Sequence, residues 1–299
     1  MPFPSVLSVI AGPRAIADDT ARAILETCRS AVVNGEIDWL APARSFDIPF
    51  EGDPDSLRAG LREAAHDDWL LDFNIVPAEG RRKRLLIADM DSTIIGCECI
   101  DELADMAGIK PKVAAITERA MRGELDFSAA LRERVALLKG LPLEAVARVY
   151  AERVRLNKGA RALTATMRAN GAHTLLVSGG FTYFTSRVGQ DAGFEHNQGN
   201  RLLDDGKTLT GLVDEPILGR EAKLQALEDA VARYGLSFAD TLAVGDGAND
   251  LDMIRRAGLG VAYHAKPLVA AAAETAIAHG DLTALLYLQG YRAHEIARS

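Results

Sequence analysis

The sequence predicts an α/β chain: a doubly wound parallel sheet carrying an inserted helical cap, preceded by a smaller α+β unit. Three observations predict it. Short apolar runs recur after residue 84 ("LLIAD", "HTLLVS", "TLAVGD" and "GLGVAY"), as expected of strands buried on both faces of a parallel sheet. Amphipathic helical segments separate those runs, as parallel crossovers require. The first 80 residues have a different texture, with strands and helices in the order βαββαβ.

In that first unit "SVLSVIAG" reads as a strand and "AIADDTARAILETCRSA" as a helix, while "EIDWLAPARSFDIPF" reads as two strands divided at Pro42. "DPDSLRAGLREAA" is a second helix and "WLLDFNIV" a last strand. The order is that of a ferredoxin-like sandwich, and by pattern it resembles an ACT regulatory domain. The resemblance implies an amino-acid effector or a homodimer contact; a purely structural unit fits the same pattern. The basic run Arg81-Arg82-Lys83-Arg84 reads as a solvated linker. It divides the chain into residues 1–80 and 81–299.

From Leu85 the chain reads as a Rossmann-like core. An all-helical stretch at about 98–157, punctuated by Gly and Pro, lies between its first two strands and reads as a cap of four helices over the strand ends. "NRLLDDGKTLTGLV" alternates around Asp205-Gly206 as a β-hairpin does, and the alanine-rich "VAAAAETA" at 269–276 reads as helix. Ligands in such sheets bind beyond the carboxyl ends of the strands. Three of the runs end at Asp89, Ser178 and Asp246, so these distant residues converge on one edge.

Composition narrows the function. The 299 residues are 48% hydrophobic and 25% charged, which is ordinary for a globular protein, and the net charge of −8 argues against nucleic acid or an anionic membrane as partner. No run reaches the ~20 apolar residues of a membrane span, and the first residues lack the basic start of a secretion signal, so the expected location is cytoplasmic. Cys28, Cys97 and Cys99 have neither a disulfide framework nor zinc spacing, and the six histidines are scattered.

Four short motifs remain: "DMDST" at 89–93, "VSGG" at 177–180, Lys223 within "REAKLQALEDAV", and "VGDGANDLDM" at 244–253. Each alone has a plain structural use as turn, cap or solvated charge. Together, in this order, they resemble the signature motifs of the haloacid-dehalogenase superfamily. The resemblance implies phosphoryl chemistry with Mg²⁺. Asp89 would be nucleophile and metal ligand, and Asp91 general acid and base, with its backbone carbonyl on the metal. Asp246 would complete the metal site, with Asp250 behind it. Ser178, Gly179, Lys223 and Asn249 would hold the substrate. These residue types suit the task. Phosphate monoester hydrolysis is among the slowest uncatalysed reactions, and a carboxylate attacks an anion only where cations lower the repulsion. Mg²⁺ prefers oxygen ligands.

Within the superfamily, "DMDSTIIGCECIDELADMAG", "ITERAMRGELDFSAALRERVALLKGLP", "LLVSGGF" and "LAVGDGANDLDMIRRAGLGVAYHAKP" resemble the phosphoserine phosphatases, over residues 85–290. This implies hydrolysis of the small molecule O-phospho-L-serine to L-serine and phosphate, the last step of serine biosynthesis, with Glu98, Met121, Phe127 and Arg134 as substrate contacts. Met90 stands where members of that family often have Phe. Spacing supports Arg134 independently: Phe127, Leu131, Val135 and Leu138 form an apolar stripe, and Arg134 lies on the same helix face. A phosphotransferase, a phosphatase for another small ester and a non-catalytic amino-acid sensor stay open as alternatives.

Overall fold

The computed structural model describes residues 4–28, 36–64, 69–122 and 124–298, the side chains of 62–64 and 121 excepted. The first unit runs β1 (Ser5–Ala11), α1 (Asp18–Cys28), β2 (Asp38–Ala41), β3 (Ser45–Phe50), α2 (Pro54–Ala64), β4 (Leu71–Pro77). Its antiparallel sheet has the order β2-β3-β1-β4, the ferredoxin-like arrangement expected from the pattern. Residues 29–31 and 65 of the two expected helices lie outside the described residues.

Alternation along β1 explains how this sheet is used. Leu7 and Val9 face α1 and α2, packing with Ile24, Phe46, Ile48 and Leu57, whereas Val6 and Ile10 on the opposite face join the core of the rest of the chain. A strand buried on both faces cannot belong to a unit that hangs on a solvated tether. The basic run corrects the sequence expectation accordingly. Arg81 donates to Asp47 at 2.5 Å and to the carbonyls of Tyr287 and Leu288, both at 3.0 Å. Arg82 lies over the Tyr291 ring and pairs with Glu295, and Lys83 donates to the Ala239 carbonyl. Most of these partners lie more than 150 residues away in sequence, so composition alone could not reveal them.

The larger part continues with β5 (Leu85–Ala88), the four cap helices α3 (Cys99–Met106), α4 (Lys110–Met121), α5 (Phe127–Ala136) and α6 (Leu143–Arg153), then α7 (Ala160–Ala169). It goes on through β6 (His173–Phe181), α8 (Thr182–Ala192), β7 (His196–Asn200), β8 (Leu202–Asp204), β9 (Leu209–Val213) and α9 (Arg220–Tyr234). β10 (Thr241–Gly245), α10 (Leu251–Arg256), β11 (Leu259–Tyr263), α11 (Pro267–Ala272), β12 (Thr275–Ile277) and α12 (Ala284–Leu288) complete it. The six-stranded sheet is parallel with the order β12-β11-β10-β5-β6-β7, and order reverses around β5 and β10 as doubly wound sheets require.

Two strands escape the sequence reading. β7, "HNQGN", is an edge strand without an apolar run. The helix expected over 269–276 stops at Ala272, and Thr275–Ile277 is strand, because Val261 and Tyr263 of β11 and the Asn74 side chain offer partners on either side. The cap enters and leaves side by side, through the Ile95–Leu156 bridge and an Asn157 N–H to Ile94 carbonyl bond of 2.8 Å. The β8–β9 hairpin turns at Asp205-Gly206 as expected and adds to the cap, with Gly140 N–H donating to the Leu209 carbonyl at 2.8 Å.

Arg81→Ala tests the staple. It leaves Asp47, 4% exposed, without its cation. We expect the unfolding free energy from urea titration to fall by ~3–5 kcal/mol, the usual cost of breaking a buried pair. A loss within experimental error would restore the solvated linker.

Candidate active site

Asp89 is the first residue beyond β5, held there by its N–H to the Val244 carbonyl at 3.0 Å. The chain then turns tightly through Met90–Ile94, with Ser92 in the left-handed region at φ 57°. That turn brings Asp91 back over the sheet edge. Its Oδ1 accepts from the Cys99 N–H at 2.9 Å and its Oδ2 from the Ser178 hydroxyl at 3.1 Å. Gly180 lies beside it; a Cβ there would stand 2.7 Å from Asp91 Oδ2, so only glycine lets β6 approach this closely.

Lys223 projects from the second turn of α9 beneath these residues. Its ammonium is 2.7 Å from Asp89 Oδ1 and 2.6 Å from Asp250 Oδ1, and the side chain is only 2% exposed. Burial disfavours the ammonium, yet Asp89 and Asp250 outweigh it and hold the Lys223 pKa above that of free lysine. Asp246 follows β10 and accepts from the Thr93 hydroxyl at 3.3 Å. Burial, reinforced by repulsion from Asp250, raises the carboxyls of both Asp89 and Asp246 above the usual range. Burial also raises Asp91, against the hydrogen bonds from Cys99 and Ser178.

Asp89, Asp246 and Asp250 bring carboxylate oxygens within 4.8 Å of one another. One ammonium faces three carboxylates, so the cluster carries surplus negative charge. Both Asp250 oxygens are engaged, one with Lys223 and the other with the Gly247 N–H at 3.0 Å, which makes Asp250 a brace. Asp89 Oδ2 takes no hydrogen bond from the described residues. An all-oxygen donor set with unbalanced negative charge fits a hard divalent cation.

Above this floor lies a cavity of about 730 Å³ between the cap and the strand ends. Asp89, Asp91, Ser178, Gly179, Asp246 and Asn249 line it from below; Glu98, Phe127, Leu131 and Arg134 line it from the cap. Glu98 accepts from the Ser92 hydroxyl at 2.7 Å, and burial together with repulsion from Asp91 raises its pKa to about 7. Arg134 spends its Nε on the Ala130 carbonyl, and its guanidinium faces the cavity with Glu98 and Asp101 nearby. Phe127 sits over Gly179, where a Cβ would stand 2.9 Å from the ring. Met121 ends α4, and its side chain lies outside the described residues. The structure thus gathers Asp89, Asp91, Glu98, Phe127, Arg134, Ser178, Gly179, Lys223, Asp246, Asn249 and Asp250 around one cavity. Ser92, Thr93 and the Cys99 N–H, unassigned by sequence, prove to orient Glu98, Asp246 and Asp91.

Residues 86–255 match the family model for haloacid dehalogenase-like hydrolases. The chain belongs to that family. Among its relatives, the phosphoserine phosphatase of a Polaromonas species is 48% identical over 210 residues, covering 69% of this chain and 89% of the relative. A crystal structure of a family hydrolase from Salmonella enterica serovar Typhi superposes with a TM-score of 0.83 at 30% identity, over 95% of this chain and 98% of that one. A probable phosphoserine phosphatase from Vibrio cholerae, in unliganded form, gives 0.78 at 31% identity, over 98% and 88%. In this haloacid dehalogenase-like hydrolase the aspartates follow β5, and Ser178, Gly179 and Gly180 lie within the last residues of β6, which runs on to Phe181 past the point where the sequence reading ended it. No helix among the described residues is long and apolar enough to cross a membrane.

Lys223→Met tests the charge balance. It leaves Asp89 and Asp250 buried together without a cation, and we expect a loss of ~3–5 kcal/mol in unfolding free energy at neutral pH. Lowering the pH should recover part of that loss, because protonation relieves two facing carboxylates. Equal destabilisation at pH 5 and pH 8 would show that the pair is not what the lysine neutralises.

Proposed function

We propose that this chain hydrolyses O-phospho-L-serine to L-serine and phosphate through an aspartyl phosphate on Asp89, with Mg²⁺, as the last step of serine biosynthesis. The observation that carries the reading is a cavity with two unlike ends: a floor of Asp89, Asp91 and Ser178, backed by the Lys223 ammonium beneath Asp89, and a cap wall that offers both a guanidinium and a carboxylate. A phosphate, a carboxylate and an ammonium on one small molecule match that set. The names of the relatives support the same substrate.

Asp89 Oδ2 attacks phosphorus, and the bond from phosphorus to the serine oxygen breaks. Asp91, whose carboxyl burial holds above the usual range, gives a proton to the departing oxygen. Water then attacks the aspartyl phosphate as Asp91 takes its proton, and the bond to Asp89 breaks, releasing phosphate. Ser178, the Gly179 N–H and Lys223 hold the phosphoryl oxygens where negative charge is concentrated. Asp89, Asp246 and the Asp91 carbonyl would hold Mg²⁺, which supplies charge neutralisation to the phosphoryl group. At the other end Arg134 takes the substrate carboxylate and Glu98 its ammonium. The first unit is proposed as a regulatory or dimerising domain, and the chain as a cytoplasmic enzyme.

A screen of phosphate release over phosphorylated amino acids, phosphoethanolamine, 3-phosphoglycerate and sugar phosphates, with Mg²⁺ and with chelator, tests the assignment. Phosphoserine should lead, and chelator should stop turnover. Preference for another ester would replace the substrate, and turnover in excess chelator would remove the metal.

Two substitutions separate the floor carboxylates. Asp89→Asn should abolish turnover and label transfer from ³²P-phosphoserine to protein, since an amide is a poor nucleophile. Asp91→Asn should keep the nucleophile and lose general acid and base help, lowering kcat by ~10²–10⁴. Undiminished kcat in either variant defeats the covalent mechanism.

The cap wall has its own test. Arg134→Ala should lower kcat/KM for phosphoserine by roughly 30- to 4,000-fold, the equivalent of ~2–5 kcal/mol for truncating one partner of a buried charge pair. Phosphoethanolamine, which lacks the carboxylate, should lose far less. A common factor for both esters would mean that Arg134 only packs its helix.

A further inference from the structure

The cavity carries more acid than base. Asp89, Asp91, Glu98, Asp101 and Asp246 line it, against Arg134 and Lys266, while Lys223 is already committed between Asp89 and Asp250. A phosphomonoester, with charge near −2 at neutral pH, has to enter against those acids. Arg134 is half-buried in the cap wall and bound to Ala130. Lys266 is placed differently. It stands between β11 and α11, where it is exposed and lines the cavity with Leu268 and Val269 of α11. This stretch forms one lip of the mouth. Its backbone carbonyl caps α11 by accepting from the Val269 and Ala270 N–H groups, while among the described residues its side chain makes no hydrogen bond or ion pair, and Leu268 beside it is 77% exposed.

An exposed lysine is ordinary on a protein surface. Here it is the exposed cation of a cleft whose other charged lining residues, Arg134 apart, are carboxylates, and clefts with low-dielectric walls focus the field of such a charge. We propose that Lys266 is the entrance cation of this site: it draws the phosphomonoester dianion past the acids of the cavity and takes no part in bond making. The inference rests on the phosphomonoester reading above. Three consequences follow from charge acting at a distance. KM responds and kcat does not; salt removes the effect, because the Debye length falls from about 10 Å at 0.1 M to about 3 Å at 1 M; and arginine replaces lysine without loss.

The test measures kcat and KM for phosphoserine and for p-nitrophenyl phosphate, with saturating Mg²⁺, at 20 mM and at roughly 500 mM ionic strength. Lys266→Gln should raise KM at low salt by about tenfold, the modest end of electrostatic focusing, with kcat unchanged. Lys266→Glu should raise it further, Lys266→Arg should match wild type, and at high salt all four proteins should converge. A fall in kcat, an effect equal at both salt levels or no change at low salt each overturns the proposal. If wild type hydrolyses p-nitrophenyl phosphate and not phosphoserine, the substrate reading fails and the lysine is still tested on the first ester. If neither ester is hydrolysed, calorimetric titration of inorganic phosphate into the same four proteins decides: affinity must fall in the order Arg and Lys, Gln, Glu at low salt.

Discussion

Lys223 places one positive charge among carboxylates that the fold has taken out of water, and the floor of the site is arranged around it. Burying an ammonium alone costs several kcal/mol even after relaxation. Asp89 and Asp250, at 2.7 and 2.6 Å, offset that cost only because α9 sets its second turn against the ends of β5 and β10. The arrangement fixes Asp89 as well: with Oδ1 on the lysine, its other oxygen is left toward the cavity. Asp250 in turn is held by the Gly247 N–H, so the loop after β10 is pinned at the point where Asp246 and Asn249 leave it. A single ammonium thus sets the relative position of three elements and leaves surplus negative charge facing the solvent side.

Much of this was legible in the sequence, for a physical reason. Parallel strands buried on both faces need continuous apolar runs, and "LLIAD", "HTLLVS" and "TLAVGD" supply them; β7, all polar at the sheet edge, and β12, three residues long, supply no such signal. Convergence of Asp89, Ser178 and Asp246 followed from the rule that strand carboxyl ends share an edge. What stayed hidden depends on backbone geometry or on long-range docking. Ser92 has to adopt a left-handed conformation before its hydroxyl meets Glu98 and before Thr93 turns toward Asp246. Lys266 reaches the cavity only because α11 lies opposite the cap, which no local pattern records.

The first unit shows the same division. Its βαββαβ order was plain, but Asp72 and Asn74 sit at alternate positions of β4, on a face that a sequence reading would give to water. Both are buried. Asn74 uses its amide as a strand would, donating to the Ala276 carbonyl at 3.0 Å and accepting from its N–H at 2.9 Å, so the open edge of β12 is closed by a side chain. Asp72 fills a nest of N–H groups from Ala278, His279 and Gly280. The Gly280 carbonyl meets His264 at 2.7 Å, two residues before Lys266. The antiparallel sheet is therefore part of the scaffold that sets one lip of the cavity, continuous with the core through Val6, Ile10 and Val76.

On the phosphoserine reading, the two ends of the cavity divide the labour between chemistry and choice. The floor recognises any phosphoryl group, because hydroxyl, backbone N–H and ammonium address oxygens common to every monoester. The cap wall discriminates by what a wrong ester leaves undone. Arg134 is half-buried, and Glu98, at the open side of the cavity, already sits at a pKa of about 7 because partial desolvation and Asp91 disfavour its charge. An ester without an ammonium leaves that carboxylate facing its repulsive neighbours, and one without a carboxylate leaves the guanidinium desolvated and unpaired. Unpaired buried polar groups reject analogues far better than missing methylenes do. Selectivity in this design comes from two opposite charges held a short distance apart over a floor that is indifferent to the leaving group.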